Sequence, residues 1–270
     1  MDTSVKHVVM FSGGVGSWAA AKRVAARYGT DNLILLFTDT LMEDADLYRF
    51  IEEAAENVGG EFIRIVEGRD PWQVFHDARF LGNTRVDPCS KILKRDMAMA
   101  WVQEHCDPAD TILYLGIDWT EEHRWERSKR FWVPYIVEAP MCEEPLIEKD
   151  KMLAALEAEG IKQPRLYEMG FPHNNCGGFC IKAGQAHFKH LLEKMPERYR
   201  YHERKEEELR QYLKANPLKT GTWDVSILRD RRGGETKLLT LRELRRRVEG
   251  DEEIDCDDWG GCGCFMDMED

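Results

Sequence analysis

No stretch of this 270-residue chain is apolar for long enough to cross a bilayer. The opening residues, MDTSVKHVVMFSGG, lack the apolar core and small-residue cleavage site of an export signal. A cytoplasmic location without a membrane partner is therefore expected. Basic charge is not in excess either. Residues 249–270 hold ten acids and no Lys or Arg, and the other 40 acids are nearly matched by 38 bases. The net charge of −12 thus belongs to the C-terminal end, and the near-neutral body argues against non-specific binding of nucleic acid through bulk positive charge. Core material is plentiful: 43% of the residues are hydrophobic, too many for a disordered chain.

The first half alternates between short apolar runs and helical patterns. His7–Phe11, Leu33–Phe37, Phe62–Val66 and Thr111–Leu115 read as strands. Ser17–Tyr28, residues 44–58 and Asp87–His105 read as the helices between them. Continuous apolar strands separated by helices predict an α/β fold, a parallel sheet with helices on both faces. Beyond it, residues 150–160 and 184–215 read as helices. Val225–Leu228 and Leu238–Thr240 follow as short strands, and Leu241–Val248 as a last helix. The expected organisation is a nucleotide-binding domain over 1–150, a mainly helical Cys-containing region over 151–248, and an acidic Cys/Gly tail over 249–270 too polar to pack unless its cysteines are ligated.

The sharpest local signal is Ser12-Gly13-Gly14-Val15-Gly16-Ser17 between the first strand and the first helix. Glycines there let backbone N–H groups and the helix N-terminus cradle an anion. A Walker A loop would need a Lys before the final hydroxyl, and none is present. Gly14-x-Gly16-x-x-Ala19 with Asp39 after the second strand nominally meets a dinucleotide fingerprint. Two hydroxyls flanking two glycines instead suit a pyrophosphate.

SGGVGS after an apolar strand resembles the SGGxxS loop of the PP-loop superfamily, the adenine nucleotide alpha hydrolase-like proteins. FTDTLMEDADLYRFI is similar to the matching segment of phosphoadenosine phosphosulfate (PAPS) reductase-like proteins. Cys89-Ser90-x-x-Leu93-Lys94 resembles their Cys-led helix start, and Gly116-Ile117 stands where they carry a Gly-led loop. The resemblance spans about residues 5–195. It implies a PP-loop/HUP-like fold and an adenine nucleotide, ATP or PAPS/APS, held by Ser12, Gly13, Gly14, Val15, Gly16, Ser17 and Gly116. Asp39 would contact the ribose or a magnesium ion and is a catalytic candidate. One departure is clear: many PP-loop enzymes have Asp where this chain has Gly16, so a metal contact from that side chain is lost.

Cys176-Gly-Gly-Phe-Cys180 lets two sulfurs converge on one ion, and Cys89 at a helix start offers a third. Cys89, Cys176 and Cys180 are the expected metal ligands. The resemblance points to a [4Fe–4S] cluster, since related reductases use cysteines at these places. Zinc is the rival, completed by His173, His187 or His190, or by the tail cysteines Cys256, Cys262 and Cys264. PAPS reductases also keep a nucleophilic cysteine in a C-terminal segment, which makes Cys262 and Cys264 catalytic candidates. Cys106 and Cys142 stand alone as plain thiols.

Lys91, Lys94 and Arg95 follow Cys89, with positions 91 and 95 spaced to share a helix face, and Arg124 and Arg127 follow the fourth strand. Lys91, Lys94, Arg124 and Arg127 are the expected contacts to an anionic substrate. The activity that the resemblance implies is cleavage of ATP between its α and β phosphates, coupled to sulfur transfer at a Cys-ligated cluster. A true sulfonucleotide reductase is the alternative, and a non-catalytic nucleotide- or metal-binding module is the reading from another class. The partners expected are the adenine nucleotide, a nucleic-acid or small-molecule sulfur acceptor, and a second copy of the chain as a homodimer.

Overall fold

The computed structural model describes residues 5–82, 86–217 and 223–261. Along the chain run β1 (Lys6–Met10), α1 (Val15–Tyr28), β2 (Leu33–Asp39), α2 (Ala45–Val58), β3 (Glu61–Val66) and α3 (Pro71–Ala78). Next come α4 (Pro88–Ser90), a wide-turned helical stretch (Lys91–Asp96), α5 (Met97–His105), β4 (Thr111–Leu115), α6 (Glu122–Phe131) and β5 (Ile136–Glu138). The remainder holds α7 (Lys149–Ala158), α8 (Arg165–Glu168), α9 (Gln185–Lys194), α10 (Pro196–Ala215), β6 (Leu228–Asp230), β7 (Lys237–Leu239) and α11 (Leu241–Glu249).

Two compact units divide these elements. The first takes residues up to Gly68 and then Leu93–Gly177; the second takes Arg69–Ile92 and, among the described residues, 178–261. These units cut across the linear organisation expected from composition, because the chain leaves the first unit after β3 and returns to it before α5.

In the first unit the described strands form one parallel sheet in the order β3-β2-β1-β4-β5. The α/β fold expected from the sequence is the fold found. Alternating strand residues supply two cores. Val9, Phe11, Leu35 and Phe37 pack with Trp18, Ala20 and Ala21 of α1 and with Leu47, Phe50 and Ile51 of α2. Val8, Met10, Leu36, Leu113 and Leu115 pack on the other face with Ala98 and Val102 of α5 and with Trp132. Burial on both faces is why these strands read as unbroken apolar runs. The small side chains of Ala19–Ala21 let α1 lie close to the sheet. The connections from β1 to β2 and onward to β4 leave on opposite sides of β1, so a crevice opens at the carboxyl ends of β1 and β4, where α/β sheets take ligands.

Two expectations for the second unit need correction. Residues 184–215 are not one helix: Pro196 lacks the N–H needed to continue α9 and starts α10 instead. The acidic end does pack as far as Gly261. Ala186 donates to the Asp258 carbonyl (2.9 Å), Gly184 to that of Trp259 (3.2 Å), and Ala183 pairs with Gly260. Asp258 also accepts the Gln185 N–H at 3.3 Å. An acid at the start of α9 answers the helix's unpaired donors and positive end, so charge docks this segment rather than releasing it.

Glu206 of α10 organises the second unit. It is 1% exposed, and its two carboxyl oxygens accept the N–H groups of Ile227 (2.9 Å) and Leu241 (2.6 Å), tying the β6–β7 hairpin and α11 to α10. Glu206→Ala leaves two buried donors without acceptors and should cost about 2–6 kcal/mol, at roughly 1–3 kcal/mol each. A denaturation difference below about 1 kcal/mol would overturn that assignment. Burial pushes the carboxyl up to about 7, against an ordinary value of 4.5. The folded value lies above the unfolded one, so the group's contribution is full below pH 4.5 and is lost as the pH rises through about 7. The stability advantage of wild type over Glu206→Gln should shrink across that window.

Candidate nucleotide site

The glycine loop leaves the carboxyl end of β1 and enters α1. Gly13 has φ +77°, a left-handed conformation that glycine adopts without strain, and Gly14 is the N-cap of α1 without a side-chain cap. Ser17 is buried and its hydroxyl donates to the Gly14 carbonyl at 2.8 Å, closing the loop on itself. Among the described residues no acceptor meets the N–H groups of Gly13 and Gly14. Orphan donors, a helix N-terminus and the crevice coincide here, which is the arrangement that holds an anion. Ser12 is half-buried at the same place.

Gly116, just after β4, is the other wall. A Cβ on Gly16 would stand 2.9 Å from the Gly116 carbonyl oxygen, and one on Gly116 would stand 2.6 Å from the N and Cα of Ser17. Backbone meets backbone at this point. The missing Asp at position 16 is therefore more than a lost metal contact, because this packing has no space for a side chain there.

Further residues reach the loop from the later part of the first unit. Asn174, 2% exposed, donates its amide to the Gly13 carbonyl at 2.8 Å. Tyr167 of α8 accepts the Val15 N–H at 3.3 Å, and Lys149 of α7 lies 4.1 Å from the centre of the Tyr167 ring. Sequence reading missed these three. Only Lys149, one of the first two lysines after the fifth strand, left any trace in the sequence, and it was too slight to find.

Several predicted site residues have other partners. The Asp39 carboxylate is buried; it accepts from the Leu41 N–H (2.8 Å) and the Tyr48 hydroxyl (3.0 Å), and it is ion-paired to Arg64 of β3. Lys94 is 4% exposed and lies 3.8 Å from Glu43, whose carboxylate also accepts from Thr40 (2.9 Å) and from the Cys176 N–H. Arg124 is buried and donates to Glu121 at 2.6 Å. Arg127 is exposed on α6, and Lys91 is exposed. Positions 91 and 95 do not share an environment: the wide-turned stretch Lys91–Asp96 replaces i→i+4 spacing by i→i+5, and Arg95 is buried while Lys91 is not.

A cluster or zinc ion needs at least three donors around one point. Among the described residues no group of three or more His, Cys, Asp and Glu side chains is arranged to hold a metal. Cys176 belongs to the first unit, Cys89 and Cys180 to the second. His187, of the zinc alternative, bonds through Nε2 to the Gly178 carbonyl at 2.7 Å, and burial lowers its pKa. Cys262 and Cys264 lie outside the described residues. Cys106 is buried, and burial pushes the Cys142 thiol up to about 11, in keeping with plain thiols.

No family model matches the sequence, and no curated protein matches it. Among solved structures the chain is similar to a phosphoadenylyl-sulfate (PAPS) reductase from Candida auris, solved as a phosphate complex. The identity is 13% over 62% of this chain and 78% of that chain, with a TM-score of 0.42.

Gly16→Asp would restore the side chain that the loop resemblance carries. The clash with the Gly116 carbonyl predicts a loss of stability of about 1–3 kcal/mol, the usual cost of overpacking, rather than a gain in magnesium binding. Thermal and denaturant unfolding with and without magnesium check this, and a variant as stable as wild type would overturn the packing argument.

Proposed function

We propose that the chain is an adenine-nucleotide-binding enzyme of the PAPS reductase-like kind, with the nucleotide's phosphates on the loop Ser12–Ser17. The observation that carries the reading is the pair of unmatched N–H groups at Gly13 and Gly14, ahead of α1 and opposite Gly116. Binding through backbone donors and a helix N-terminus suits phosphates and needs no loop lysine.

Two chemistries are compatible with such a site, and they place different demands on it. Splitting ATP between its α and β phosphates is ordinarily assisted by a metal ion on the departing pyrophosphate. The two positions expected to serve that metal offer little: Gly16 has no side chain, and the Asp39 oxygens already serve Arg64, Tyr48 and Leu41. Sulfonucleotide reduction asks less. A thiolate attacks the sulfur, an S–S bond forms as the S–O bond breaks, and the electron pair leaves on a phosphate oxygen that is already a weak base. The carboxylate arrangement therefore favours a phosphosulfate substrate, with Cys262 or Cys264 as the proposed nucleophile. ATP cleavage is the second reading, which the SGGxxS resemblance supports.

Calorimetric titration with ATP, PAPS and NAD tests the binding reading, with adenine nucleotides carrying phosphate or sulfate groups expected to bind and NAD not. Gly14→Val places a branched side chain where phosphate would approach. It should weaken binding at least about tenfold, or about 1.4 kcal/mol, with the circular dichroism spectrum unchanged. Unaltered affinity in that variant would sink the loop assignment. Release of sulfite from PAPS with a thiol reductant, against release of pyrophosphate from ATP, decides between the chemistries.

A further inference from the structure

The segment that covers the glycine loop is held in place by charge. Arg165, at the start of α8, donates twice to the buried Asp44 carboxylate (2.7 Å each), and its N–H donates to Asp46 at 2.8 Å. Arg49 adds a bond to the Lys162 carbonyl at 3.2 Å. Asp44 is also the N-cap of α2, so α8 is fixed to the first turn of that helix. Two residues after Arg165, the Tyr167 hydroxyl stands at the Val15 N–H, the first donor of α1.

That N–H is part of the anion cradle, and at 3.3 Å its bond to a neutral phenol is a long one. A phosphate or sulfate oxygen, carrying charge, is the stronger acceptor. Lys149 is close by. Its ammonium lies over the Tyr167 ring and donates to the Pro172 carbonyl at 2.5 Å, and no carboxylate pairs with it among the described residues. Burial lowers its pKa, opposed by the more distant charges of Asp118, Asp150 and Glu121. A half-buried ammonium held by a carbonyl and a ring face, next to an anion cradle, gains most when an anion arrives.

We infer that Lys149 and Tyr167 are the side chains that bind the outer phosphate or sulfate of the nucleotide. The ligand oxygen takes the Val15 N–H from the phenol, the phenol hydroxyl turns to donate to that oxygen, and the ammonium supplies the positive charge that the loop's backbone lacks. This rests on the nucleotide reading above and adds to it the class of ligand, one with charge beyond the α phosphate.

The test is calorimetric titration of ATP and AMP into wild type, Lys149→Gln, Lys149→Arg and Tyr167→Phe, each first shown to melt like wild type. Lys149→Gln should weaken ATP about tenfold or more and AMP by less than about threefold, because a charge-assisted contact is worth roughly 1.5–3 kcal/mol. Lys149→Arg, which keeps the charge, should stay within about threefold of wild type, and Tyr167→Phe should lose about three- to tenfold for ATP. Equal losses for ATP and AMP, or no loss in Lys149→Gln, would overturn the inference while leaving nucleotide binding intact. If wild type binds none of ATP, AMP and PAPS, the nucleotide reading and this inference fall together.

Discussion

The backbone of α1 and the end of β4 touch at Gly16 and Gly116, and the architecture of the first unit follows from that contact. It brings the N-terminus of a 14-residue helix to the centre of the sheet, beside the point where the chain's crossovers diverge. It also requires the chain leaving β1 to turn sharply, which Gly13 achieves at φ +77°. The orphan donors of Gly13 and Gly14 are a consequence of this geometry. The N-cap residue Gly14 carries no side chain to cap the helix, which leaves its first donors available to an external anion.

Charged residues around the crevice mostly serve as anchors. Asp39, Glu43 and Asp44 are all buried at the carboxyl end of β2, and each is met by a base or by several donors: Arg64 with Tyr48, Lys94 with Thr40 and the Cys176 N–H, Arg165 with the Asp46 N–H. A buried carboxylate without partners would lose its charge or its place. These three acids therefore fasten β3, the Lys94 helix and the α8 segment to the loop after β2. Removing any one would disturb the site through its supports.

Much of the first unit was legible in the chain. The strand at Thr111–Leu115 matches residue for residue, the other three expected strands differ by one or two positions at their ends, and the short β5 was not expected. Burial on both faces writes itself as apolar runs, and a strand-to-helix turn writes itself as glycines. The partners of the acids were not legible. Phe37 aligns with Arg64 only because β2 and β3 are in register, and nothing local to Asp39 reports a base 25 residues away. The same holds for Lys149, Tyr167 and Asn174, which reach a loop more than 130 residues earlier by way of α7 and α8. Cysteine spacing is a separate case. Cys-x3-Cys counts residues along the chain, but the unit boundary falls between Cys176 and Cys180, and Gly177 and Gly178 turn left-handed there at φ 59° and 80°. Proximity in sequence then says little about a shared ligand.

Separating the anion cradle from carboxylates has a chemical consequence. An acid in position to hold magnesium would also repel a phosphate ligand whenever the metal is absent, so metal-dependent sites accept weak binding without metal. Here the acids nearest the loop are neutralised by Arg64, Lys94 and Arg165, and the loop itself offers only donors. The balance favours an anion bound directly, by N–H groups and a cation, over one bound through a metal bridge. On the proposed phosphosulfate reading, the reaction leaves the phosphorus untouched and breaks a bond at the far end of the ligand, and the donors proposed to bind the substrate would also stabilise the departing phosphate.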